Sequence, residues 1–381
     1  MIDRCPAPNT VRAPTARLFR MATDIIAERL LQIIDEGRRT ATYKLALLTA
    51  LMDACAENVD ARGRAPQQLH TRDIAAHVLR LYLPQARLYL GGDGDPFELR
   101  QINTHRSAVL GAIVGLQLEA ELTGCRSIGQ IRDRLPAEYE RCLNEVEYTF
   151  ARYPIVRLQV VGAQQRPFLY DVDWTESVTH KQLHSPGGGE VRFRSGAGDE
   201  LLRLAPLLRP LIELHWTTMV ARINRIDTEY DRIHTHLFGA QRVTFPTSLR
   251  SGLAELQGGE CFYCGDRLTK ATQVDHFIPW SRWPNDAIEN LVLADACNGH
   301  KRDHLAADVH VARWSSRLAG AVDDLHAIAT TANWQSAAGR SLSMARSTYA
   351  HLPTGTPLWL RGGEFTDLNV ATIVKALAGA A

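Results

Sequence analysis

Four short runs between residues 261 and 301 constrain this chain more than any other feature. They are Cys261-Phe-Tyr-Cys264, Val274-Asp275-His276-Phe-Ile-Pro279, Asn290-Leu-Val-Leu293 and Cys297-Asn298-Gly-His300-Lys301. A Cys-x-x-Cys pair presents two thiolates in one tight turn, at the spacing tetrahedral zinc takes. Cys297, far along the chain, offers a third sulfur at the start of a helix. His300 follows it by three residues, on the same side of the first helical turn, and is the candidate fourth ligand. The alternatives are an ordinary surface histidine at 300, and a metal-free fold in which the three cysteines are buried thiols. Gln273 to Pro279 reads as a strand running into a turn, Asn290 to Ala294 as its antiparallel return, and Asn298 to Leu305 as the helix of a ββα unit.

The other cysteines support that reading. Of seven in all, Cys5, Cys55, Cys125 and Cys142 are scattered singly and only the remaining three cluster. The pattern suits a metal site in a reducing cytoplasm and not a disulfide framework. No apolar run reaches the ~18 residues that would argue for a membrane span, and the N-terminus lacks the basic-then-apolar layout of a secretory signal. The formal net charge of +1 gives no global electrostatic case for a nucleic-acid coat protein; any such surface must be local.

A chain of 381 residues has room for two or three domains. The pattern predicts an α+β protein that is mostly helical. Residues 1–16, with Pro6, Pro8 and Pro14, read as a flexible arm. Residues 17–240 read as a mainly helical domain with a β-hairpin near 155–174. Within it, apolar stripes predict helices over 17–36 and 42–57, a helix capped within Thr71–Asp73, and helices over 97–121, 136–150 and about 200–226. Pro206 and Pro210 predict a kink in the last of these, or a start after Pro210. The polar stretch 227–245 reads as a link to a module at 246–312, followed by a helical C-terminal extension over 313–381.

The order of the motifs resembles the HNH endonuclease family, whose ββα-metal module would occupy only the C-terminal part of the chain. The resemblance implies roles residue by residue. His276 matches the general base that takes a proton from the attacking water, and histidine titrates near neutrality. Asp275 and Asn298 match the ligands of a catalytic divalent ion, Mg²⁺ or Mn²⁺; one carboxylate and one neutral amide leave room for water and phosphate oxygens. Asn290 matches the asparagine that pins the loop between the strands. Zinc-bearing relatives carry a second Cys-x-x-Cys where this chain has Ala294, which leaves the fourth zinc ligand open. Lys301, Arg302 and Arg282 are candidate phosphate contacts, while Trp280 and Trp283 could meet DNA or pack.

The resemblance therefore implies a Mg²⁺-dependent DNA endonuclease with a structural zinc, of a layout suited to restriction or phage defence. The competing readings are a zinc-stabilised DNA-binding protein with a vestigial site, and an RNA-cleaving nuclease or toxin. Residues 17–240 carry no motif of their own; DNA binding, sensing of a trigger, a partner protein or self-association are all open to them.

Overall fold

The computed structural model describes residues 15–35, 41–92, 94–103, 108–125, 127–161, 164–165, 167–239 and 244–379. Most of the expected N-terminal arm lies outside the described residues. Helix α1 (Thr15–Asp35) buries Ile26, Leu30, Ile33 and Ile34, which form one helical stripe. Helix α2 (Tyr43–Glu57) buries every residue from Leu45 to Ala56 except Asp53, so it lies in the middle of the core. Strand β1 (Gln68–His70) leads into α3 (Thr71–Tyr82), and the cap is one residue earlier than the sequence pattern predicts: His70 Nδ1 accepts the Arg72 N–H at 3.2 Å. A short hairpin of β2 (Leu88–Tyr89) and β3 (Phe97–Glu98) comes next. Helices α4 (Ala108–Leu122), α5 (Ile128–Arg134) and α6 (Pro136–Phe150) follow.

Three expectations change here. The hairpin predicted near 155–174 is shorter, formed by β4 (Val160–Val161) and β5 (Gln164–Gln165). Residues 151–155 continue α6 as a π-helical turn that buries Ile155, while β6 (Tyr170–Asp171) pairs instead with β7 (Glu190–Phe193) in a sheet of order β1-β7-β6. β-branched composition argues for strand, but packing into a helical core decides the outcome. After α7 (His180–Leu183), helix α8 (Ala197–Asn224) runs for 28 residues straight through Pro206 and Pro210. Both rings lie on its exposed side, where water can satisfy the carbonyls that lose an N–H partner. The polar stretch 227–245 contains α9 (Tyr230–Phe238), whose buried Ile233 and Leu237 make it part of the packing against α8.

Beyond residue 246 come α10 (Thr247–Leu256), the hairpin β8 (Gln273–His276) and β9 (Leu291–Ala294), and α11 (Ala296–Lys301). Helices α12 (Asp308–Thr331) and α13 (Ala338–Ala350) lead to a second hairpin, β10 (Pro357–Arg361) and β11 (Glu364–Asp367). Helix α14 (Val370–Ala378) closes the described chain, capped by the Asn369 side chain on the Thr372 N–H.

The architecture is mostly helical α+β with small antiparallel sheets. One continuous buried cluster includes Leu51 and Trp216 from the first half and Phe277, Trp314 and Trp359 from the second. The C-terminal segment is built into this core: α13 packs on α2, and Arg340 Nε donates to Glu57 Oε1 at 2.6 Å. Among the described residues no helix is long and apolar enough to cross a membrane.

Candidate functional site

The β8–β9 ladder pairs Asp275 with Val292 and His276 with Leu291 without a bulge, and the Phe277 N–H extends it to Asn290 O at 2.7 Å. An unbroken strand alternates its side chains, so Asp275 and His276 face opposite ways.

On one face Asp275 is buried. Tyr263 donates its hydroxyl to Asp275 Oδ2 at 2.5 Å, and Lys301 Nζ lies 3.1 Å from the same oxygen. Burial, reinforced by the Asp275 charge, holds the Tyr263 phenol far above its usual range, so it stays a donor. Lys301 also donates to His276 O at 2.9 Å. One turn earlier on α11, Asn298 Nδ2 donates to Gln273 Oε1 at 2.6 Å. The i, i+3 pair on the helix thus lies along the i, i+2 pair on the strand, with Asn298 by Gln273 and Lys301 by Asp275.

The burial of Lys301 corrects the expectation that it contacts phosphate. Its side chain is 0% exposed and tied to two groups of β8; a clamp must reach solvent. Burial pulls its pKa below the ordinary lysine value, while Asp275 opposes that shift. Arg282 and Arg302 are exposed, and Arg302 ends α11 at φ 46°, a strained backbone for a non-glycine residue.

On the other face, His276 Nε2 lies 2.7 Å from Asp286 Oδ1. Trp280 meets the ring edge-on at 5.5 Å and Phe245 lies at 6.1 Å. Asp286 belongs to none of the sequence motifs. An acid in the long loop between the two strands has no spacing signature of its own, and only the fold reveals it.

Asn290 ties the loop between the strands. Its Oδ1 accepts the Ile278 N–H at 2.8 Å, and its Nδ2 donates to Ile278 O at 3.1 Å and Asn285 O at 3.0 Å. Trp283, in the same loop, is buried, with the Arg209 guanidinium 4.2 Å from its ring centre and Arg209 paired with Asp53. That indole packs against the N-terminal half of the chain.

Below the hairpin, Cys261, Cys264 and Cys297 bring their sulfurs within 4.8 Å of one another. Gly265 closes the turn at φ 79°, where its N–H reaches Cys261 O at 3.0 Å. Burial acts to raise the Cys261 thiol, but the backbone N–H groups of Cys264, Asp295 and Tyr263 outweigh it and hold the thiol below its usual value. Burial first, then the neighbouring sulfurs, push Cys297 up to about 12. Three thiolates this close repel one another unless a cation sits among them. The group therefore fits zinc in donor type and spacing. His300 is exposed and outside the group; three helical residues carry it about 4.5 Å along the axis.

Asp275 and Asn298 fit a second, harder cation in type. They supply a carboxylate and an amide from adjoining faces of β8 and α11, and among the described residues the Tyr263 and Lys301 contacts to Asp275 fall on Oδ2. A dication held there would have to share the Asp275 carboxylate with Lys301.

Comparison with known families agrees with the position of this site. Residues 261–307 match the model of the HNH endonuclease family, and residues 23–237 match a domain of unknown function (DUF8808). No curated protein and no solved structure matches the chain. The second match spans more than half of the sequence, so the chain belongs to the DUF8808 family, and it carries an HNH endonuclease domain in its C-terminal half.

Proposed function

We propose that this protein is a metal-dependent endonuclease that hydrolyses DNA phosphodiester bonds, with His276 as general base. The observation that carries the reading is the pairing of His276 with Asp286 at 2.7 Å, on the ββα unit of an HNH domain. One imidazole nitrogen is engaged, and the other can take a proton from water. Asp275 and Asn298 would hold a divalent ion, Mg²⁺ or Mn²⁺. When bound, such an ion would supply positive charge to the phosphodiester, reaching it from the face of β8 opposite His276. Exposed Arg282 and Arg302 would bind backbone phosphates. Cys261, Cys264 and Cys297 would hold a structural zinc, with the fourth ligand from water or a group that moves in.

On this reading residues 246–312 form the nuclease module, and residues 17–240 with 313–381 form its support. The setting we propose is restriction or phage defence, on the strength of this two-part layout alone. The test is nicking of supercoiled plasmid with Mg²⁺ or Mn²⁺, with RNA offered in parallel. Nicking by the wild type and its loss in His276→Ala support the reading. Tight DNA binding without cleavage would mean a vestigial site, and cleavage of RNA alone would reassign the substrate.

A further inference from the structure

The Asp286 carboxylate is sheltered with its histidine: the two side chains are 13% and 20% exposed. We propose that Asp286 is the positioning residue for His276, fixing the proton on Nε2 so that Nδ1 presents its lone pair to the water. The inference rests on His276 being the general base.

The chemistry follows from the donor inventory. A carboxylate only accepts, and a neutral imidazole carries one N–H, so the nitrogen facing Asp286 is the protonated one. In the step served, one proton of the water passes to Nδ1 and the water oxygen bonds to phosphorus. The P–O bond to the leaving sugar oxygen breaks, with its electron pair remaining on that oxygen.

What makes Asp286 suited to this is the anchoring of its backbone. Asp286 O accepts from Trp334 Nε1 at 2.6 Å, and the Ile288 N–H donates to Gln335 O at 3.0 Å. Asn285 Nδ2 donates to Ser341 Oγ at 3.0 Å, while its Oδ1 accepts the Ala287 N–H at 3.1 Å. The Glu289 carboxylate accepts from Ser336 Oγ at 2.6 Å and the Ala337 N–H at 2.9 Å. Residues 285–289 are thus fastened to 334–341, outside the matched HNH segment. Phe245 packs against both the Trp334 ring at 5.5 Å and the His276 ring, joining the same anchor to the histidine. A loop acid would otherwise have to be ordered at each turnover; here the scaffold has already ordered it.

The experiment uses the full chain with ¹⁵N-labelled histidine, and the His276 signals are assigned by their loss in His276→Gln. In the wild type, protonation at Nε2 is expected; in Asp286→Ala, a mixture of tautomers. In plasmid cleavage, Asp286→Ala and the near-isosteric Asp286→Asn are each expected to lower kcat about 100-fold, with KM within about two-fold. Purely structural damage would not move the tautomer in Asp286→Ala. A wild-type proton on Nδ1, or Asp286→Ala turning over at the wild-type kcat, would overturn the proposal. If the wild type cleaves nothing, the nuclease reading fails, and the tautomer spectrum still decides the Asp286 contact.

Discussion

Lys301 and Asp275 form a buried ion pair 3.1 Å apart, with side chains 0% and 9% exposed. It fastens the helix of the ββα unit to its first strand. Removing one partner of such a pair strands the other charge away from water, a loss of about 3–5 kcal/mol. Lys301→Met is therefore expected to lower the denaturation midpoint of the whole chain sharply, as read by urea unfolding. A surface phosphate clamp would leave the midpoint unchanged and only weaken DNA binding, so an unaltered midpoint would contradict the buried assignment.

Asn290 offers a sharper contrast between two substitutions. Its amide accepts one backbone N–H and donates to two carbonyls. Asn290→Ala leaves these groups unpaired, at a cost of about 1–3 kcal/mol for each one that stays buried. Asn290→Asp is nearly the same size, yet it would turn an oxygen towards two carbonyl oxygens. We expect Asn290→Asp to be at least as damaging as Asn290→Ala in thermal unfolding; a harmless Asp variant would rule out the orientation of the amide.

The pH dependence of stability is expected to carry the mark of His77. Burial first, then the flanking arginines, pull its imidazole down to about 3. Glu57 Oε2 lies 3.6 Å away, but its other oxygen already accepts from Arg80 and Arg340, so burial outweighs its pull. The folded-state value lies below the unfolded one of about 6.5, so the unfolded chain binds the extra proton. The contribution is fully present above pH 6.5 and is lost as pH falls towards 3. At pH 5 the loss is about 2 kcal/mol. Unfolding of His77→Gln between pH 5 and 7 should show a shallower slope than the wild type; an identical slope would refute this.

The cysteine group predicts a metal-dependent fold. Elemental analysis of purified protein is expected to find one zinc per chain. A strong chelator should lower the melting temperature, and Cys261→Ser should remove the metal. Protein free of zinc with an unchanged melting temperature would show that the three sulfurs are thiols only.

The sequence reveals the site's order and less of its depth. His276, Asn290 and the cysteines stand out because metal and backbone chemistry fix their type and spacing. Lys301 misleads because lysine is almost never fully buried unless paired, and its partner Asp275 cannot be assigned to it without the fold. Asp286 is silent for a related reason: its carboxylate reaches His276 from a loop whose backbone is held at Asp286 O by Trp334 and at the Ile288 N–H by Gln335 O, residues that follow α12 in the chain. In the first half, the apolar stripes of α1 and α2 are plain. Pro206 and Pro210 suggest a break that the exposed side of α8 absorbs, and Ile233 and Leu237 turn an apparent linker into packed helix.

The most direct measurement is single-turnover cleavage of a defined duplex by the full chain with Mg²⁺, comparing the wild type with His276→Ala and analysing the new ends. The account predicts 5′-phosphate products from the wild type and a rate at least about 100-fold lower without the imidazole. Equal cleavage by the two proteins would contradict it.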